Sequence, residues 1–315
     1  MNNNIKQNYQ MHNLLNTILL LAGMMLLLSL TGWLVAGFIG IIWALSTGVI
    51  LVIFAPRLSS RLILYFYEAR PVTPQDSAQL TDLVKWLANR SKLPQRPKLY
   101  YIPSSVMMAF SVGIRNDTSI AISDGLLRQL NIREIAAVLA HEISHIQHRD
   151  LWLMSVADIL SRITSLMALM GYVMVLLYIP LFIFQGQPIP WLLLLILMIA
   201  PSISALMQLA LSRTREFAAD MQAVKLTGDP PGLISALNKI HYYEKSWLTH
   251  LLLPNVRVPN PSLLRTHPLT EERIRRLRNL TQNDQHLYIQ EQEIAHFNNN
   301  QAQGTPRHHI SGLWY

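Results

Sequence analysis

The chain has 315 residues and a net charge of +8, with 51% hydrophobic and only 14% charged residues, against about 25% charged in an average soluble domain. It contains no cysteine, which excludes disulfides and thiolate metal sites and leaves His, Glu and Asp as possible ligands. The basic residues are scattered and many flank apolar blocks, so membrane-flanking cations account for the charge better than a nucleic-acid surface does.

The charge deficit is confined to two stretches. Between Lys6 and Arg57, and again between Arg162 and Arg213, there is no Asp, Glu, Lys or Arg. Leu14 to Ala55 as a single helix would run about 63 Å, roughly twice the hydrocarbon thickness of a bilayer. It therefore reads as two crossings, with a turn near Ser29–Gly40 where Gly32, Gly37 and Gly40 cluster. The first crossing reads as a retained anchor, since the apolar run is too long for a signal peptide and shows no small-residue cleavage site. The second run breaks at Gln185-Gly-Gln-Pro-Ile-Pro190, which cannot continue a helix, giving spans over about 163–184 and 191–211. The turns carry no Lys or Arg, whereas the other ends carry Lys6, Arg57, Arg61, Arg149, Arg162, Arg213 and Arg215. The positive-inside rule places those ends and both termini in the cytoplasm.

Between the apolar runs the chain reads as soluble. Thr73-Pro74 predicts a helix start, with the helix running to about Arg90. Lys98–Ile102 predicts a strand, and Phe110–Ile114 with Ser119–Ile122 a hairpin around residues 115–118. Ser123 opens a short helix to Leu130. Asn131-Ile-Arg-Glu134 has the spacing of a capping box and opens a long helix predicted to pass Leu151. The fold class is mainly α with a small β-sheet and four transmembrane helices. The expected organisation is a membrane hairpin over 1–58, a first catalytic segment over 59–162, a second hairpin over 163–212, a second catalytic segment over 213–280 and a loose polar tail over 281–315.

The long helix contains His141-Glu142-Ile143-Ser144-His145. Residues i and i+4 share a helix face, so both imidazoles can reach one ion. Glu142 lies about 100° around the helix, placed to hold a water rather than the metal. A catalytic zinc takes three protein ligands and keeps a fourth position open. Glu216 can supply the third ligand. Asp220, four residues on, can accept a hydrogen bond from the far nitrogen of a ligating His. A bland reading of the same residues is an amphipathic core helix with a solvated Arg215-Glu216 pair. A His145/His148 site is the other metal arrangement. Thr266-His267-Pro268 precedes Glu271-Glu272-Arg273, and His267 and Arg273 can donate to an oxyanion, or else decorate a surface helix.

Together these residues resemble the HtpX-type membrane zinc metallopeptidases, relatives of the CAAX prenyl endopeptidases. The resemblance covers about residues 14–280. It rests on His141-Glu-Ile-Ser-His145 followed by Asp150, on Arg215-Glu216 with Asp220, on Thr266-His267-Pro268 with Glu272-Arg273-Ile274, and on the order hairpin, metal helix, hairpin, third ligand. It implies a gluzincin-type peptidase domain with one zinc per chain on His141, His145 and Glu216. It further implies Glu142 as general base and acid, His267 and Arg273 lining the site, and quality control of membrane proteins in the bacterial inner membrane. One position departs: Met108 stands where the family has the Asn of an Asn-Ala-Phe stretch, while Ala109 and Phe110 match and are the expected substrate strand. An extended peptide would add a strand there. Two alternatives are a non-catalytic metal-binding membrane scaffold or sensor, and a prenyl-protein endopeptidase, which needs more membrane helices than four. The expected partners are peptide or membrane-protein substrates and the lipid bilayer, with no nucleic acid.

Overall fold

A computed structural model describes residues 3–114, 117–185, 191–250 and 270–283. In chain order the elements are α1 (Asn3–Phe66), β1 (Arg70–Pro71), α2 (Ala78–Arg90), β2 (Lys98–Ile102), β3 (Ala109–Ile114), β4 (Asp117–Ser123), α3 (Asp124–Gln129), α4 (Ile132–Gln147), α5 (Asp150–Gln185), α6 (Trp191–Thr227), α7 (Pro230–His250) and α8 (Thr270–Asn283). The chain divides into two units, Met1–Arg57 with Trp152–Thr214 and Leu58–Leu151 with Arg215–Tyr315.

The first unit is built from apolar helices. Three stretches, Leu14–Ile53, Asp150–Pro180 and Trp191–Thr227, are long and apolar enough to cross a membrane. The first is not one rod. Helical geometry breaks at Ala36 and at Gly37, whose φ is +59°. There the chain folds back on itself. A Cβ at Gly40 would stand 1.9 Å from the Gly32 carbonyl oxygen, whereas eight residues of straight helix would separate the two by about 12 Å. Glycine at both positions lets the backbones touch, and the expected turn over Ser29–Gly40 is observed. Met24, Leu28 and Ala44 close the seam together with Ala157, Leu160, Ile163 and Leu211. Leu26, Trp43, Leu177 and Leu192 face outward and are exposed, as lipid-facing side chains must be. Two buried hydroxyls are satisfied inside their own helices, Thr31 by the Leu28 carbonyl and Thr164 by the Leu160 carbonyl, as a medium without water favours.

The second unit holds a four-stranded sheet in the order β1-β2-β4-β3. β2 runs parallel to β4, while β1–β2 and β3–β4 are antiparallel. The expected strand and hairpin are both present, and β3 is an edge. Strand alternation sorts the side chains of β3. Phe110 and Val112 join Ile102 and Ala121 in one cluster. Ala109 packs against the larger core on the other side, to which Ile135, Leu139 and Ile143 of α4, Leu83 and Leu87 of α2, Leu233 of α7 and Leu277 of α8 contribute. Helix α4 is the axis of this core, with every residue from Glu134 to Ile146 buried. It opens on the expected capping box, Asn131 and Glu134 each closing on the other's backbone N–H.

Two boundaries differ from the sequence reading. The helix expected from Thr73-Pro74 starts at Ala78, because the Asp76 carboxylate accepts from both the N–H and the hydroxyl of Thr73 and makes a turn there. Ser77 caps the helix instead, accepting from the Leu80 N–H. The helix expected to pass Leu151 stops at Gln147, and Arg149 adopts φ +58° before α5 begins at Asp150. A left-handed residue ends an α-helix by releasing its i−4 register. The loop 186–190, His267 and residues 284–315 of the expected tail lie outside the described residues.

Candidate metal centre

The last two turns of α4 bring His141 and His145 to one face, with their rings edge to face and 4.7 Å between centroids. Their Nε2 atoms are 3.1 Å apart. Glu216 of α6 meets them, with Oε2 3.4 Å from His141 Nε2 and Oε1 3.5 Å from His145 Nε2. All three residues are buried. One ligand atom from each falls within 4.8 Å of the others, a spacing that could hold a metal ion.

The far nitrogens are also held. His141 Nδ1 lies 3.0 Å from Asp220 Oδ1 and His145 Nδ1 lies 3.0 Å from Asp150 Oδ2. Each carboxylate takes the Nδ1–H and so turns the lone pair of Nε2 toward the centre. Asp220 follows Glu216 by four residues on α6, so one helix face delivers both groups. Asp150 reaches His145 because of the break at Arg149. On a continued helix it would sit about 140° away from His145 around the axis. Arg215 Nη1 approaches the other oxygen of Asp150 at 3.6 Å.

Arg273 of α8 is buried beneath the centre. Its Nε and Nη2 grip Asp220 at 2.7 and 2.6 Å, its Nη1 lies 3.1 Å from Glu216 Oε2, and its Nη2 is 3.5 Å from His141 Nδ1. The guanidinium thus braces the carboxylates, a bidentate fork on one and a single contact on the other. Glu142 lies buried beside the histidines, and its Oε2 accepts a hydrogen bond from the Ser111 hydroxyl at 2.8 Å. Ser111 belongs to β3, on the face of Ala109. The Phe110 ring stands 5.2 Å from Tyr67 within the cluster on the opposite face. The structure therefore brings together His141, His145, Glu216, Asp220, Glu142 and Arg273, and adds Asp150, Arg215 and Ser111.

The charges are balanced by design of the packing. Burial pushes the His141 and His145 imidazoles toward the neutral form, but their carboxylate partners outweigh it. His141 is raised by Asp220 and Glu216, and His145 well above its ordinary value by Asp150 and Glu216. Burial likewise disfavours the Arg273 cation, and Asp220 with Glu216 more than restores it, so the guanidinium stays charged.

A cluster of two histidines and a glutamate, braced in this way, is the frame of a helix-borne peptidase centre, and the sequence of the whole chain decides the matter. The sequence model of Peptidase family M48 matches residues 74–281. The chain belongs to peptidase family M48. Among curated relatives it is 33% identical over 285 residues to a Protease HtpX homolog of Burkholderia ambifaria, covering 85% of this chain and 96% of that one. It is 32% identical to the homolog of Ralstonia pickettii, covering 88% and 99%, and 34% identical to that of Campylobacter concisus, covering 84% and 96%. Among solved structures it is similar to the crystal structure of S. mikatae Ste24p, with a TM-score of 0.45 and 22% identity, covering 85% of this chain and 65% of that one. The chain is thus an HtpX-like M48 metallopeptidase with membrane helices.

Proposed function

We propose that the chain is a zinc endopeptidase of the bacterial inner membrane that cuts misfolded or damaged membrane proteins from the cytoplasmic side. In this reading the peptidase domain is of the gluzincin type, His141, His145 and Glu216 hold one zinc ion, and Glu142 is the general base. The observation that carries it is the spacing of the three donors. Ligand bonds of about 2.0–2.1 Å in a tetrahedron set donor–donor edges of about 3.3–3.4 Å. Here the two Nε2 atoms are 3.1 Å apart, and Glu216 approaches His141 through Oε2 at 3.4 Å and His145 through Oε1 at 3.5 Å, separations close to those edges. Three protein ligands would leave one corner for water and substrate. Bound zinc would polarise the scissile carbonyl and acidify the attacking water.

The chain's own groups do the rest. Glu142 takes a proton from the water as the water oxygen bonds to the carbonyl carbon. It then passes that proton to the leaving nitrogen as the C–N bond breaks. Asp150 and Asp220 hold the imidazole tautomers. Arg273 holds Asp220 and Glu216, so its part is positioning, while the expectation that His267 steadies the oxyanion stands on the resemblance alone. The reading of four crossings is supported by the fold-back at Ala36–Gly37 together with the two helices α5 and α6. Glu216 follows the last uncharged residue, Ser212, by four residues on the same unbroken helix, only about 6 Å of rise. That closeness favours substrates at the bilayer surface.

The test is zinc content and cleavage in purified full-length protein. Wild type should carry about one zinc and cleave an unfolded substrate such as casein. Glu142→Gln should keep the zinc and lose at least about 100-fold in kcat. His141→Ala should lose the zinc. Cleavage by Glu142→Gln at the wild-type rate would remove Glu142 from its role, and zinc without cleavage in wild type would favour a metal-keeping scaffold.

A further inference from the structure

The expected site residues leave one buried polar group unexplained. Ser111 lies on β3 on the face that α4 covers, where its neighbour Ala109 packs against the apolar core. An apolar side chain would serve packing there. Ser111 is instead a buried hydroxyl, and it donates to Glu142 Oε2 at 2.8 Å across 31 residues of sequence. No capping or turn motif calls for it.

The same residue also belongs to the open edge of the sheet. The Ser123 N–H donates to the Met108 carbonyl at 3.0 Å, with β4 pairing Ala109 to Ile122 and Phe110 to Ala121 beyond it. In an antiparallel pair the bonded and non-bonded positions alternate. Met108 and Phe110 therefore spend their peptide groups on β4, and Ala109 and Ser111 turn theirs to the free edge. Ser111 thus offers its backbone where an extended peptide would pair, and its hydroxyl to the carboxylate that must meet that peptide's carbonyl.

We propose that Ser111 is a positioning residue for Glu142: its hydroxyl pins Oε2 so that Oε1 faces the attacking water, and its place in the edge strand registers the substrate against that carboxylate. This deepens the assignment of Glu142 as base and rests on it. A hydrogen bond to a carboxylate oxygen fixes the rotamer of the side chain that carries it. A misdirected base costs rate rather than binding, because the substrate's main-chain bonds to the edge do not need the hydroxyl.

The experiment compares purified full-length wild type, Ser111→Ala, Ser111→Thr and Glu142→Gln, each loaded with zinc and assayed on one unfolded protein substrate. Ser111→Ala should lose about tenfold in kcat, with KM changed less than about twofold. Its zinc stoichiometry and thermal unfolding should match wild type. Ser111→Thr, which restores the hydroxyl, should recover most of the rate. Wild-type kcat in Ser111→Ala, a loss carried by KM or by zinc content, or equal impairment in Ser111→Thr each overturns the proposal while leaving Glu142 in place. Full activity in Glu142→Gln would overturn the assignment of the base, and the proposal with it.

Discussion

At the scale of single residues, the imidazoles of His141 and His145 are governed by what holds their far nitrogens. Asp150 and Asp220 each take one Nδ1–H, so removing either charge should loosen the metal without removing a ligand. Asp150→Asn or Asp220→Asn should weaken zinc retention by about 10- to 100-fold, measured by competition with a chromophoric chelator. Unchanged affinity in both would show that these carboxylates do not set the tautomers. Protons compete with metal for the same imidazoles. Both groups are raised above their ordinary 6.5 in the metal-free chain, so protonation begins on the alkaline side of that value. Zinc affinity should therefore be full at high pH and start to fall before pH 6.5 is reached on acidification, followed by titration of the zinc-loaded protein. Arg273, expected to line the site and donate to an oxyanion, has its nitrogens on Asp220 and Glu216. Its charge offsets part of that of the buried carboxylates around it.

At the scale of elements, two breaks in helices matter more than the helices themselves. The end of α4 at Gln147 and the left-handed Arg149 swing Asp150 back onto His145. The fold-back at Ala36–Gly37 turns one long apolar stretch into two packed arms. The crossing of those arms tolerates no side chain at Gly40, where a Cβ would stand 1.9 Å from the Gly32 carbonyl oxygen, an atom that cannot swing aside. Gly40→Val should force the arms apart and lower the thermal stability of the detergent-solubilised protein by several degrees. Gly37, with open space around it but φ +59°, should tolerate Asn far better than Val. Equal melting of Gly40→Val and wild type would mean that the arms do not cross there. Much of this was legible from the chain alone. The glycine cluster announced the turn, and Asn131 with Glu134 announced the start of α4. The ends of α2 and α4 were not legible. Asp76 competes with the cap at Thr73, and Arg149 carries no side-chain preference for a left-handed φ.

At the scale of the whole molecule, the proposed orientation rests on the arrangement of charge. Lys and Arg flank the apolar runs at the ends away from the two turns, and the positive-inside rule assigns those ends to the cytoplasm. The absence of native cysteine gives a clean test. A single cysteine at Gln187 should react with a membrane-impermeant maleimide from the periplasmic side, and one at Lys92 only after the cytoplasmic side is opened. The reverse pattern would invert the topology. Which residues share a helix face was readable from local spacing, because i,i+4 pairs meet on a helix whatever that helix packs against. Hence His141 with His145, Glu216 with Asp220, the capping box and the apolar runs were determined by the sequence alone. The meeting of those two pairs, the grip of Arg273 from α8, the return of Asp150 and the placement of Ser111 on Glu142 were decided only by the tertiary structure. They join residues up to 132 positions apart. No local periodicity encodes such contacts, since they arise when separate apolar faces bury one another and carry their polar residues along.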